Sequence, residues 1–350
     1  MNPTTLLSAA VRFGEGSPVI EPLGQGLINH TYKVSYPAGK SIVLQCINRA
    51  VFRQPENILY NYRMVYDFLE QSASAVKVPP IVSAKDGRDY FTDEEGRCWR
   101  ATLFMPHSRS VVLPADAKEV YAAAHCFASF TSALGGLPAS RLKNIIPGFH
   151  DLSLRYRQFE DTVRSAHISR LLKATHVISE LRDRVDLVHF YEAMIANPAA
   201  YPVRIMHHDC KISNVLFHEQ STTTLCPVDL DTVMPGYYFS DPGDMIRSMA
   251  CTEDENSTAW ELIDVRKDYY DTIINGWMAG MGSLTDAEKA GIHKAGPLIT
   301  YMQCLRYVTD FLENDVYYKT NYPEQNLNRA LNQLILLEKL EAMATQGQPS

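Results

Sequence analysis

Between residues 207 and 214 the chain reads His207-His208-Asp209-Cys210-Lys211-Ile212-Ser213-Asn214, and a further carboxylate, Asp229, follows at the end of an apolar strand. These residue types at this spacing, H-x-D-x-x-x-x-N with a later Asp, suit transfer of a phosphoryl group to an alcohol. Such a transfer needs an acceptor-only side chain to orient the attacking hydroxyl and take its proton, which a carboxylate does at neutral pH. Asp209 is the candidate base. Phosphates also call for magnesium held by hard oxygen ligands, and Asn214 and Asp229 offer an amide carbonyl and a carboxylate. Lys211, just past the base, is placed to stabilise charge on the transferring group, and His207 to brace the loop by hydrogen bonds. A polar turn between strands would explain any one of these residues, but the set points to chemistry. A metallohydrolase is the weaker reading, because adjacent histidines on a turn point apart and no H-E-x-x-H or second ligand cluster occurs.

A second segment, Gly24-Gln25-Gly26-Leu27-Ile28-Asn29-His30, lies between two expected strands. Glycines there let the backbone approach phosphates and present its amides, though G-x-G is equally an ordinary hairpin turn. A dinucleotide-binding turn is excluded, since a strand and not a helix follows.

The elements that must position these groups divide the chain in two. From Val19 to about Met105 the pattern is mostly β: Thr31–Tyr36 alternates, Pro37-Ala38-Gly39-Lys40 supplies a turn, and Ile42-Val43-Leu44 completes a hairpin. Strands follow at Asp89–Thr92 and Cys98–Met105. One helix interrupts them, starting near Pro55 with Ile58, Tyr62, Val65 and Leu69 on one face. Beyond Pro106 the period becomes helical, first from Asp116 to Leu134 with Val120, Ala124, Phe127 and Phe130 as the buried stripe. Short strands recur at Val203–Met206, Val215–Phe217 and Leu225–Val228. Thr285-x-x-Glu288 has the form of a capping box opening a helix to about Glu313, with Pro297 as a kink or break, and a last helix carries Leu327, Leu331 and Leu334. This is an α+β plan of two lobes, residues 1–105 and 106–350, with the chemistry expected between them.

Composition narrows the partners. With 350 residues, 46% hydrophobic and 21% charged, the chain can bury a full core. A net charge of −7 offers no field for nucleic acid. The seven cysteines are odd in number and form no C-x-x-C pair, which suits reduced thiols in a cytoplasmic protein. The apolar patch Leu6–Val11 lacks a basic flank, and no run of about 18 apolar residues occurs, so neither export nor a membrane span is expected.

Several strings together resemble a known family: Gly24-x-Gly26-x-Ile28-Asn29-x-Thr31-Tyr32, Val43-Leu44-Gln45-x-Ile47-Asn48, Asp229-Leu230-Asp231-Thr232-Val233-Met234-Pro235-Gly236, Asp241-x-Gly243-Asp244-x-Ile246-Arg247 and Tyr322-Pro323-Glu324-x-Asn326-Leu327. The chain is similar from about residue 20 to 340 to aminoglycoside-phosphotransferase-like small-molecule kinases, and more narrowly to the N-acetylhexosamine 1-kinases. The resemblance implies a protein-kinase-like two-lobe fold, with a mainly β N-terminal lobe and a mainly helical C-terminal lobe. It also implies phosphorylation by ATP and Mg2+ of the anomeric hydroxyl of N-acetylglucosamine or N-acetylgalactosamine. Asp209 is then the base, Asn214 and Asp229 hold magnesium, and the nucleotide lies against Gly24, Gly26, Asn29, Gln45 and the hinge Phe104-Met105. Arg306 and Tyr317 become candidate sugar contacts beside Asp209 and Lys211. Without the resemblance, Arg306 could equally pair with Asp310 one turn on, and Tyr317 could be core.

This sequence also departs from the kinase pattern. Gln45 stands where the wider kinase fold carries a strand lysine, and His208, Cys210 and Ser213 differ from the relatives' loop. A kinase of another small hydroxyl compound (a different sugar, an amino alcohol or an aminoglycoside) is the alternative reading, and a nucleotide-binding regulator without turnover is a third.

Overall fold

The structure, a computed structural model, describes residues 1–24 and 29–346. After a short helix α1 (Pro3–Ala10) comes an antiparallel sheet of β1 (Val19–Pro22), β2 (His30–Ser35), β3 (Ser41–Ile47), β4 (Ile81–Val82), β5 (Tyr90–Thr92) and β6 (Cys98–Leu103). Its order is β1-β2-β3-β6-β4, with β5 also paired to β6. Because side chains alternate across a strand, Val34, Leu44, Trp99 and Ala101 fall on one face, where they form a core with Phe13 and Phe91. The opposite face of the β3–β6 pair carries Gln45 directly across from Arg100. The expected hairpin is present as β2 and β3, turning at Gly39, whose φ of +83° favours glycine.

Helix α2 (Pro55–Gln71) lies between β3 and β4 in sequence and buries Ile58, Tyr62, Val65 and Leu69, as its spacing predicts. Tyr62, Val65 and Leu69 share a core cluster with Phe130, Leu134, Leu230 and Val233, so this helix joins the sheet to the helical region. That region comprises β7 (Ser108–Ser110), α3 (Ala117–Ala133), α4 (Leu152–Ser165), α5 (Ile168–Asp183), α6 (Asp186–Ile195), β8 (Arg204–Met206), β9 (Val215–His218), β10 (Thr224–Pro227), β11 (Met234–Gly236), α7 (Ser240–Met245), α8 (Lys267–Gly280), α9 (Asp286–Ala290), α10 (Ala295–Leu312) and α11 (Gln325–Gln346). Its strands pair as β10-β9-β7 and β11-β8. Asp116 caps α3 through Lys118 N and Glu119 N, as a helix starting there requires. Gly276 of α8 lets the two helices meet closely, since a Cβ there would lie 2.9 Å from Tyr121 O.

One expected element breaks elsewhere. The Thr285–Glu288 capping box forms, but its helix ends at Ala290, and Gly291 separates it from the turn leading into α10. Pro297 sits in the first turn of α10, where a missing N–H leaves no helical bond unmade. All seven cysteines are free and buried. Among the described residues no helix is long and apolar enough to cross a membrane.

Helix α7 is packed through Gly243, where a Cβ would overlap Ala295 O and lie 2.6 Å from Ile299 Cγ1 of α10. Gly243→Ala is therefore expected to cost about 1–3 kcal/mol by overpacking and to lower the thermal midpoint. An unchanged midpoint would show that α7 and α10 can slide apart.

Candidate active site

The loop after β8 is held by buried carboxylates on α7. Asp241, fully buried, accepts hydrogen bonds from His207 N at 3.0 Å and His208 N at 2.8 Å. Asp244 accepts from Cys210 N at 2.8 Å and is itself paired with Arg247 at 3.0 Å, which also reaches Glu255 at 2.9 Å. Two consecutive amides can converge on one carboxylate because His208 adopts a left-handed φ of 67°. From the other side, Thr232 Oγ1 donates to His207 O at 2.7 Å. His207 Nε2 donates to Val228 O at 3.0 Å, which assigns its tautomer and leaves Nδ1 to accept from Asp209 N. The bracing role expected of His207 is the one it has. Gly236 closes against the His208 ring, where a Cβ would overlap the imidazole.

This frame brings four of the candidate residues together. Asn214 Nδ2 donates to Asp209 O at 2.9 Å and to its Oδ2 at 3.0 Å, while Lys211 Nζ lies 3.3 Å from Oδ1. Asn214 and Asp229 stand at facing ends of β9 and β10, joined by the bond from Val228 N to Asn214 O at 2.8 Å. Asp229 is left-handed with φ 57°. Burial first, then the charges of Asp231 and Asp209, push its carboxyl well above the usual carboxylate range. Asp209 foremost raises the Lys211 ammonium. This crowding of negative charge fits a divalent cation. With its nitrogen committed to Asp209, Asn214 keeps a carbonyl oxygen for a metal beside the Asp229 carboxylate. Among the described residues no group of three or more His, Cys, Asp or Glu forms a metal cage.

On the sheet side, Gly24 has φ +72° with open space where a Cβ would go, and Gly26 lies outside the described residues. Asn29 does not face open space: its Nδ2 donates to Asp231 at 2.6 Å and its Oδ1 accepts from Asn48 N at 3.0 Å. Gln45 is likewise committed at both ends, donating to Thr31 Oγ1 at 3.2 Å and accepting from Arg100 Nε at 3.0 Å. Phe104 and Met105 connect β6 to β7. Phe104 N donates to Ser41 O at 3.0 Å, and Met105 O accepts from the Ser108 hydroxyl at 2.6 Å.

On the helical side, Arg306 of α10 does not pair with Asp310. That carboxylate accepts from Tyr317 N, Tyr318 N and Asn326 Nδ2, at 2.7, 2.9 and 2.8 Å. The Arg306 guanidinium instead donates to Gln303 Oε1 at 3.0 Å and lies over the rings of Phe149, Tyr318 and Tyr317 at 5.2, 5.5 and 5.8 Å. Tyr317 is 61% exposed and no core residue. His150 stacks on Phe149 at 4.6 Å and meets the His208 ring at 5.0 Å, linking this wall to the loop bearing Asp209. Burial, with help from His208 and Arg306, holds the His150 imidazole well below its ordinary value, hence neutral. Arg155 is pushed down to about 10 by burial and by Arg306, and its Nε is buried without a partner. Among the described residues neither Arg155 nor Arg306 has a carboxylate in ion-pair reach, although the Asp151 charge acts on Arg155 from further off.

Sequence reasoning about single residues missed Asp241, Asp244, Arg100, His150 and Arg155. The D-x-G-D string contained the first two without revealing what they hold.

A model of the phosphotransferase enzyme family matches residues 19–272. Among solved structures, an aminoglycoside phosphotransferase from Alicyclobacillus acidocaldarius superposes with a TM-score of 0.65 at 14% identity, covering 99% of this chain and 95% of its own. A microcompartment-associated aminopropanol kinase gives 0.65 at 16%, covering 98% of each chain. An amicoumacin kinase in complex with AMP-PNP, Ca2+ and its antibiotic gives 0.63 at 14%, covering 96% of this chain and 93% of its own. These likenesses establish the kinase-like fold expected from the sequence.

The Asp241 carboxylate yields a direct test of this frame. Asp241→Ala strands two buried N–H donors and is expected to cost about 2–5 kcal/mol in chemical denaturation. A loss below about 1 kcal/mol would mean that water replaces the carboxylate.

Proposed function

The chain belongs to the phosphotransferase enzyme family, and from that premise we propose that it phosphorylates the anomeric hydroxyl of an N-acetylhexosamine, N-acetylglucosamine or N-acetylgalactosamine, from ATP and magnesium, giving the sugar 1-phosphate. Residues 1–105 would carry the nucleotide and residues 106–350 the catalytic loop and acceptor. The observation that carries the reading is Asp209, oriented at one oxygen by Asn214 and at the other by Lys211. Its loop meets a wall of arginine and aromatic rings through the His150–His208 ring contact at 5.0 Å. Relatives of this fold bind AMP-PNP and ADP, which supports ATP as donor.

In this reading Asp209 accepts the hydrogen bond of the sugar hydroxyl and takes its proton as the oxygen attacks. Lys211 faces the charge that builds on the transferring group. Asn214 and Asp229 would hold magnesium, which neutralises phosphate charge when bound. Arg306 offers a fork of donors to ring and acetamido oxygens, and Tyr317 a hydroxyl and a ring face.

A kinase of another small hydroxyl compound remains the second reading, and two of the similar structures act on amino-bearing acceptors by their names. An amine is a cation at neutral pH, and an acceptor held against Arg306 would meet a guanidinium with no carboxylate in ion-pair reach, which favours a neutral sugar. A regulator without turnover is disfavoured because Asp209, Lys211, Asn214 and Asp229 stand together.

Phosphorus NMR of the protein with magnesium-ATP and, separately, acetamido sugars, glucose, galactose and an aminoglycoside tests the reading. A sugar 1-phosphate signal from the acetamido sugars is expected, and phosphorylation of the aminoglycoside alone would transfer the assignment to the second reading. Asp209→Asn should lower turnover by roughly 10²-fold or more with nucleotide binding nearly intact, and near-normal turnover would remove it from the chemistry. Arg306→Ala should raise KM for the sugar more than for ATP, and the reverse pattern would place it on the nucleotide side.

A further inference from the structure

The strand lysine of the kinase pattern is absent, and the residue in its place, Gln45, is bonded at both ends within the sheet. Its partner across the β3–β6 register is Arg100, which is 3% exposed. We infer that Arg100 is the residue whose positive charge receives the nucleotide's phosphates, taking from β6 the task that a lysine on β3 performs in the wider fold. This rests on the nucleotide-dependent reading of the site given above.

Three of the guanidinium's surroundings point the same way. Thr31, Gln45 and Arg100 form one polar row across β2, β3 and β6, with Gln45 Nε2 donating to Thr31 Oγ1 at 3.2 Å and Arg100 Nε donating to Gln45 Oε1 at 3.0 Å. A lysine at position 45 would set a second cation against Arg100, whereas the amide carbonyl of glutamine accepts from it. Gln45 is thus matched to an arginine at 100.

Arg100 Nη2 lies 2.5 Å from Asp231 Oδ1, and Asp231 also accepts from Asn29. Asp231 thereby occupies the part that a carboxylate on the following helix plays beside a strand lysine. The carboxylates of α2 are unsuited to it: Glu56 is exposed, Asp67 is paired with Arg63 and Glu70 with Lys77. The pair also sits beside the metal candidate, since Asp231 follows Asp229 by two residues and the Arg100 charge acts on the Asp229 carboxyl.

The third surrounding is a vacancy in the bonding pattern. Arg100 carries five donors, and among the described residues its Nη1 is buried with no hydrogen-bond partner. Burying a charged donor without an acceptor is costly, so such groups call for an explanation in a ligand. Asp231 Oδ1, the ion-pair partner of Nη2, is likewise buried without a hydrogen bond, so the tie between sheet and loop leaves an open donor and an open acceptor. An anion reaching Nη1 beside Asp229 completes the guanidinium, and a di- or triphosphate whose metal lies at Asn214 and Asp229 brings that anion.

Calorimetric titration of the full-length protein with adenosine, ADP and magnesium-ATP tests this. Arg100→Met should weaken ADP and ATP binding about ten- to hundredfold while leaving adenosine affinity unchanged. The paired change Gln45→Lys with Arg100→Gln, which returns the cation to β3, should recover much of that loss. Equal weakening of adenosine and ADP, or no change in either, would overturn the proposal and leave Arg100 as a structural tie. Should Arg100→Met not fold, Arg100→Lys keeps the charge and loses the fork, and a selective loss for ADP over adenosine is again required. A wild-type protein that binds ADP and phosphorylates its acceptor while the variants keep the ADP-to-adenosine ratio removes this inference alone. A wild-type protein that binds neither ligand removes the functional reading along with it.

Discussion

A single buried carboxylate, that of Asp241, sets the shape of the loop on which the candidate chemistry stands. Its two oxygens take the amides of His207 and His208, a convergence that requires the left-handed turn at His208. Asp209 is the next residue, so its direction is inherited from that turn. The carboxylate owes its position to α7, a helix of six residues too short to be stable alone. Packing against α10 keeps it in place, with the glycine at 243 permitting the close approach. Thus the orientation of the candidate base is decided by how two buried helices fit.

Charge is sorted across the site. One end gathers Asp209, Asp229 and Asp231 with Lys211 and Arg100 set between them, an arrangement that suits a metal-bound polyphosphate. The other end, at Arg155 and Arg306, has aromatic rings and an amide where a cation-binding pocket would present acids. The two ends are joined by neutral imidazoles, His150 and His208, whose burial keeps them from adding to the positive wall. On the proposed reading, a site divided in this way would separate a highly charged donor from a neutral acceptor.

Much of this was legible in the sequence because it is local. The spacing from Asp209 to Asn214 reflects one turn of backbone and needs no tertiary information, and the same holds for the β2–β3 hairpin and the α2 stripe. The D-L-D-T-V-M-P-G string is recognisable, although the reason for its last residue, the imidazole of His208 lying against Gly236, is a contact between β11 and the loop after β8. What could not be read depends on register. Gln45 and Arg100 meet only because β3 and β6 pair as they do, and nothing near position 100 marks that arginine as a site residue. The sequence points to a break at Pro297 where the structure has one at Gly291, because proline breaks a helix interior but is at home in a first turn, and only the start of α10 distinguishes the two. Asn29 and Gln45 were expected at the nucleotide, yet their amides face protein partners.

The complete burial of the seven cysteines has a practical corollary. Burial raises the thiols at Cys46 and Cys98 to about 11 and about 12, and lifts that of Cys210 well above its ordinary value, so the folded chain presents few thiolates to an electrophile. The thiols are distributed over both halves of the chain, from Cys46 and Cys98 in the sheet to Cys304 in α10. Alkylation by a small iodoacetamide therefore records each opening of the fold, region by region. The protein carries its own set of clocks for local against global unfolding, with no engineered label required.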